Sequence, residues 1–227
     1  MIKVDKILKD FSGKSPLFPL PNFVLFPLAG HRFKIFETRY VQMLESIIDK
    51  EKLITISLLK PGYEDDYENN PDLNSIGTLG YVDQCKELPD NQYEIIIFGL
   101  KKVKIKEFNN DFLYREASLS IINDSMNIPD EEKLRKRLIS KFTDLIGISR
   151  QTIDLEFINN NISSTEMLVN VISSMVPMNI YEKQKLLELD DISLRLELTI
   201  RFIESEIQNQ NNTDNEYPGI YMDSILD

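Results

Sequence analysis

The sequence is poor in the residues from which most catalytic and metal centres are built. Its one cysteine, Cys85, excludes an internal disulfide framework and any multi-cysteine metal site. Its one histidine, His31, would have to serve any Ser–His or Cys–His pair, and the stretch Gly30-His31-Arg32-Phe33 offers no serine or carboxylate at a telling offset. Basic side chains are also in deficit. With 26 Lys and Arg against 37 Asp and Glu, the net charge is −11, a field that repels phosphate backbones and anionic lipid. Long apolar runs are missing as well, since none approaches the ~20 residues that span a bilayer. Pro16, Pro19, Pro21 and Asn22 interrupt the only early apolar stretch, so nothing there has the pattern of a signal peptide. These absences lead us to expect a cytoplasmic protein with no membrane role, in which the sequon Asn161-Ile162-Ser163 carries no meaning.

What is present is a core. Apolar residues make up 42% of the 227, enough for one large domain or a domain with a second lobe, burying roughly 70% of the extended chain's surface. The first half reads as strands. Leu17 to Leu28 is apolar but broken by prolines, which remove backbone donors, so it fits an edge or irregular leading strand. Tyr40, Leu44 and Ile47 or Ile48 recur at helical spacing and predict a helix near 38–48 that plugs one end or face of a sheet. Leu53–Leu59 is β-branched and ends at Pro61-Gly62. The acidic stretch from Tyr63 to Asp72 then reads as a solvated loop. Further strands are predicted at Thr78–Asp83, Tyr93–Phe98, Lys101–Phe108 and Phe112–Ile122, with a tight turn at Pro89-Asp90-Asn91. Short, regularly spaced strands with one helix among them suggest a closed or nearly closed β-barrel-like unit.

Near Pro129 the pattern becomes helical. Leu134, Leu138, Phe142 and Leu145 form one stripe. Ser163-Ser164-Thr165-Glu166 and Asn179-Ile180-Tyr181-Glu182 have the form of capping boxes, and between them a short helix turns Met167, Leu168, Val171, Ile172 and Met175 inward before Pro177. From Ile192 the apolar residues alternate as in a strand. Leu196, Ile200, Ile203 and Ile207 also form a helical stripe, and Asp190 or Asp191 could cap it, so a helix is predicted. The organisation expected is an α+β chain, with a β lobe over 15–122, an all-helical lobe over 129–207 and a polar, flexible tail over 208–227.

Motifs with chemistry are scarce. Gly13-Lys14-Ser15 resembles the end of a phosphate-binding loop, but Leu8 occupies the position of its first glycine and Pro16 follows at once. The acidic loop over 64–68 lacks the central glycine of a calcium loop. Lys101, Lys102, Lys104 and Lys106 read as the wet face of a strand. Joined by Arg32, Lys34 and Arg39, they offer the one route to a local basic face and an RNA-binding alternative. No catalytic, cofactor or metal residue is assigned, and no residue is assigned to substrate binding.

The N-terminal motif carries a resemblance. Pro16 to Pro27, followed by Phe33-Lys34-Ile35-Phe36-Glu37-Thr38-Arg39-Tyr40, is similar to the amino-terminal domain of Lon ATP-dependent proteases, and especially to bacterial proteins built of that domain alone. Ile76-Gly77-Thr78-Leu79-Gly80, Tyr93 to Gly99 leading into Val103-Lys104-Ile105, and Leu58 to Tyr67 fit in order. Thr38, Lys34 and Lys101-Lys102 stand where the family often has proline, histidine and arginine. The resemblance covers roughly residues 15–207 and implies a PUA-like pseudo-barrel followed by a helical bundle. It also implies a non-catalytic bacterial module that holds polypeptide segments or a protein partner, with no cofactor. Expected places are a groove between the lobes or apolar patches at the β-lobe rim, with Tyr63, Tyr67 and the Tyr217–Tyr221 tail as aromatic handles. The acidic surface would favour basic or weakly charged segments. Oligomeric state is left open.

Overall fold

A computed structural model describes residues 3–65, 67, 70–149, 162 and 164–216. A short helix α1 (Val4–Ile7) leads into strand β1 (Lys14–Leu20). Strand β2 (Gly30–Ile35), helix α2 (Thr38–Ile48) and strands β3 (Leu53–Leu58), β4 (Ile76–Leu88), β5 (Gln92–Phe108) and β6 (Glu116–Ile121) complete the β lobe. The helices α3 (Glu131–Ser149), α4 (Thr165–Met175), α5 (Ile180–Glu188) and α6 (Ile192–Glu216) follow. The strands form one mixed sheet of six in the order β2-β5-β4-β3-β1-β6, and β6 pairs with β5 as well. Among the described strands, β1 with β3 is the one parallel pair.

The prolines explain how β1 is used. Lys14–Pro16 pairs with β6 and Leu17–Leu20 with β3, so each half has a ladder on one side. The strand therefore lies between two neighbours rather than at the edge expected of it, yet each proline, which has no N–H to give, stands in a half that is paired on one side only. Beyond Leu20 the chain leaves the sheet. Val24, Leu25 and Phe26 are buried without strand pairing, and Leu25 O accepts from Thr78 Oγ1 at 2.6 Å. Leu28 N donates to Gly99 O at 2.8 Å and Gly99 N to Ala29 O at 2.9 Å. Gly99 permits this crossing, because a Cβ there would collide with the Phe26 carbonyl.

The two strands predicted at 93–98 and 101–108 are halves of β5, which spans 17 residues. Leu79 pairs with Lys101 and Gly80 with Gly99, leaving Leu100 as a bulge that bends the strand. The first half holds β2 and the second holds β6. The strand predicted from Phe112 begins only at Glu116, because Asn110 caps the loop before it through a bond from Phe112 N to its Oδ1 (3.1 Å). The turn at Pro89–Asn91 is present, with positive φ at Asp90 and Asn91 that suits these residue types.

Helix α2 forms for the reason its sequence suggests. Tyr40, Val41, Met43, Leu44 and Ile47 are buried on one face, against Phe18, Ile54, Ile56, Ile95 and Ile97. In the helical lobe Leu138, Phe142, Leu145, Leu168, Ile172, Leu196, Ile200 and Ile203 pack with Val24, Phe26, Ala29 and Leu58 of the β lobe. One core therefore runs through both lobes, each fully buried Leu, Ile or Phe contributing about 1.5–3 kcal/mol. Ser164 caps α4 by accepting from Met167 N at 3.2 Å, whereas Ser163 is outside the described residues. Asn179 and Glu182 form the reciprocal cap of α5, with Tyr181 N to Asn179 Oδ1 at 2.9 Å and Asn179 N to Glu182 Oε2 at 3.3 Å. Asp191 caps α6 through Leu194 N at 3.1 Å. The strand-like alternation of that segment is resolved by burial: Leu196, Ile200 and Ile203 point inward while Leu194 is 43% exposed. Helix α6 continues through the polar run to Glu216, carried by its anchored first half, and 217–227 are outside the described residues. No helix among the described residues is long and apolar enough to cross a membrane.

Candidate functional site

The structure separates the residues that sequence reasoning had grouped. Gly13-Lys14-Ser15 opens a strand, not a helix, and the buried Ser15 hydroxyl is held by Thr55 Oγ1 (3.1 Å) and donates to Pro16 O (2.9 Å), so no phosphate cradle forms. His31 lies on β2 with its ring 4.3 Å from Phe23 and 4.8 Å from Phe33. Partial burial, then the nearby Lys183 charge, lowers its pKa below 6.5. No serine, cysteine or carboxylate hydrogen-bonds to it among the described residues. Cys85 is an exposed thiol on β4 whose pKa is raised, chiefly by desolvation. Among the described residues, no group of three or more His, Cys, Asp or Glu side chains could hold a metal ion.

The basic run divides after Lys102. Lys104 and Lys106 are exposed, but Lys102 is 1% exposed and is not part of any wet face. Its Nζ lies 2.6 Å from Asp124 Oδ1 and 2.8 Å from Asp190 Oδ1, and donates to Leu189 O at 2.7 Å. Asp124 also pairs with Arg195, which is fully buried, at 2.9 Å. Arg195 donates to Leu186 O, Leu189 O and Asn170 Oδ1 at 2.9, 2.6 and 2.8 Å. Two cations that cannot reach water thus share one buried carboxylate at the lobe junction. Gln184 adds a bond from its Nε2 to Ile76 O at 3.0 Å. Arg32 and Arg39 are likewise engaged, with Glu94 at 3.2 Å and Glu37 at 2.8 Å. The basic face required for RNA recognition is not assembled.

An exposed apolar rim lies on the loop between β5 and β6, alongside α2. Phe112 and Leu113 are 58% and 60% exposed with Phe108 beside them, and Phe36, between β2 and α2, is 63% exposed. The 109–115 loop is held in one shape. Asn110 Nδ2 donates to Glu116 at 3.1 Å, Phe112 stacks on Tyr114 at 5.1 Å, and Arg115 donates to Pro71 O at 2.8 Å. Arg115 also forms a two-pronged pair with Glu107, both bonds 2.7 Å. Below the loop, Pro19, Arg39, Tyr40, Tyr67, Leu113 and Arg115 line a pocket leaving about 20 Å³, room for one water-sized group. Arg39 lies over the rings of Tyr40 and Tyr67, at 5.3 and 5.1 Å, and Tyr67 donates to Glu37 at 3.2 Å. Burial raises the Tyr40 hydroxyl's pKa, keeping it a proton donor toward Pro19 O.

Tyr63 and Tyr67, expected as handles, are half-buried and pack against the β-lobe core, their rings 6.4 Å apart. The Tyr217–Tyr221 tail lies outside the described residues. Sequence reasoning missed Phe36, Phe112 and Leu113. The polar turn residues Asn109-Asn110-Asp111 were the available signal that Phe112 follows a turn rather than opening a strand.

Fold and rim together define a two-lobed α+β domain with a rigid apolar edge. The family described as the ATP-dependent protease La (LON) substrate-binding domain matches residues 14–205, and the chain belongs to that family. Lon protease of Buchnera aphidicola subsp. Acyrthosiphon pisum (strain APS) is 30% identical over 197 residues, covering 85% of this chain and 25% of that protein. Lon protease of Escherichia coli (strain K12) is 26% identical over 195 residues, with the same coverage. The chain thus spans about a quarter of these relatives' length, and it corresponds to their substrate-binding region rather than to the protease domain. Among solved structures, the N-terminal domain of Mycobacterium avium complex Lon protease superposes with a TM-score of 0.66 at 12% identity, covering 84% of this chain and 98% of that one. The Lon N-terminal domain protein from Xanthomonas campestris gives 0.61 at 19%, covering 83% and 97%.

Proposed function

We propose that this chain holds polypeptide segments at the rim of its β lobe, as a non-catalytic module of the bacterial cytoplasm. The observation that carries the reading is the presentation of Phe112 and Leu113 to solvent on a loop fixed by Asn110 and Arg115. Exposed apolar residues on a pre-ordered loop lose little conformational freedom on binding, so more of the contact energy remains as affinity. Family membership supports the same reading, since the matched domain is described as substrate-binding. The alternative place, a groove between the lobes, is disfavoured by the shared core and by the buried Lys102–Asp124–Arg195 cluster. We further infer that the β5–β6 pairing, added to the order β5-β4-β3-β1-β6, is the return that gives the PUA-like pseudo-barrel implied by the sequence resemblance.

The test is amide hydrogen exchange with a reduced, carboxymethylated and hence permanently unfolded protein as probe. Protection concentrated over 109–115 is the expected result. Binding with no protection there, or no binding above that of a folded control, contradicts the proposal.

A further inference from the structure

Strand β2 has a neighbour on one side only. Its ladder with β5 runs from Gly30 opposite Phe98 to Ile35 opposite Tyr93, and no described residue pairs with its outer side. In such a strand alternate residues turn their N–H and C=O groups away from the ladder. Six residues at about 3.4 Å each therefore leave an open backbone edge roughly 20 Å long.

The side chains along that edge sort by face. His31 and Phe33 share the face of the buried Ile35, and Phe23 lies 4.3 Å from His31 and 5.0 Å from Phe33, making an aromatic step. Arg32 and Lys34 occupy the other face, both exposed, and the exposed Phe36 follows the strand. Nearby carboxylates are already engaged: Glu94 accepts from Arg32 at 3.2 Å, and Glu37 accepts from Arg39 and Tyr67. Lys183 of α5 adds a further cation close to His31. Arg32 and Lys34 share one carboxylate, Glu94, so together they leave one net positive charge, to which Lys183 adds another. Screening confines fields to roughly 8 Å at physiological salt, so the distant acids behind the chain's net −11 bear little on anything lying on the edge.

Charge also decides between occupants. A second copy pairing edge to edge would set Arg32 and Lys34 against their own counterparts, a like-charge arrangement that natural edges use to prevent self-association. We infer that the outer edge of β2 is a strand-addition site for an extended polypeptide in which acidic residues alternate with apolar or aromatic ones. Main-chain bonds would supply affinity. The acidic side chains would meet Arg32 and Lys34, and the apolar ones would lie along the Phe23–His31–Phe33 step. This rests on the polypeptide-holding role proposed above and gives it a sequence class. It also reverses, for this edge, the preference for basic segments expected from overall charge.

The experiment titrates the whole chain with three fluorescent probes: a short peptide alternating Glu and Val, its Lys and Val counterpart, and the Glu/Val peptide N-methylated at alternate residues. The Glu/Val peptide should bind, protect 30–36 from hydrogen exchange, and lose nearly all binding on N-methylation. The exposed Arg32→Glu, Lys34→Glu double variant, its fold checked by circular dichroism, should weaken Glu/Val binding about five-fold or more and strengthen Lys/Val binding. Equal binding of the acidic and basic peptides, indifference to N-methylation, or dimerisation of the free chain through 30–36 would overturn the inference. If the unfolded protein protects 109–115 while no Glu/Val peptide binds, the inference fails and the polypeptide-holding role stands. If neither binds, both fail.

Discussion

The lobe junction and the β-lobe rim are built from the same residue types and use them in opposite ways. At the junction Lys102 and Arg195 are removed from water and depend on Asp124, itself 5% exposed. At the rim Arg39 and Arg115 remain near solvent, each in a local carboxylate pair, and the apolar side chains Phe112 and Leu113 are the ones left unburied. A buried charge that loses its partner is costly, whereas an exposed pair contributes little to stability and chiefly fixes geometry. The difference teaches that the junction ties the two lobes together, while the rim contributes little to stability.

Breaking the junction should have the largest effect. Asp124→Ala leaves the buried Arg195 without its paired carboxylate and Lys102 with Asp190 alone, and should cost about 3–5 kcal/mol in urea unfolding. A change below about 1 kcal/mol would mean that water reaches the cluster. Gly99→Ala drives a methyl group into the Phe26 carbonyl and should cost about 1–3 kcal/mol by the same assay. Asn179→Ala removes one half of the α5 cap and should cost about 1 kcal/mol. The smallest effect concerns His31. Its pKa is lowered by partial burial and then by Lys183, so between that lowered value and 6.5 the unfolded chain binds more protons than the folded one. Stability should therefore fall as pH drops through this window, and His31→Gln should flatten that part of the profile. An NMR titration of His31 with a midpoint at or above 6.5 would contradict the assignment.

The same comparison marks what the sequence made legible. Helix α2 was readable because Tyr40, Leu44 and Ile47 show its period locally, and α5 because Asn179 and Glu182 are a cap within one turn. The final helix was ambiguous, since its apolar residues fit two periods and only the neighbouring α3 and α4 decide which face is inward. The long range carried the rest. Lys102 reads as solvated because it shares a strand face with the exposed Lys104 and Lys106, while one of the groups that cover it, Asp190, is 88 residues away. Phe112 reads as strand by its aromatic character, but the Asn110 side chain and the Arg115 contact to Pro71, 44 residues distant, hold it in a loop. The candidate surface was thus hidden in what propensity assigns to a sheet, while the motifs that looked chemical, Gly13-Lys14-Ser15 and the lysine run, belong to the framework.

The most direct measurement substitutes the rim while leaving the junction intact. Phe112→Ser with Leu113→Ser changes two exposed side chains, so the urea midpoint should shift by no more than about 0.5 kcal/mol in stability. Affinity for a reduced, carboxymethylated protein, followed by fluorescence anisotropy, should fall about five-fold or more in the same variant, consistent with loss of a central apolar contact. Unchanged affinity at unchanged stability would contradict the account, because the exposed apolar rim would then have no part in holding a polypeptide.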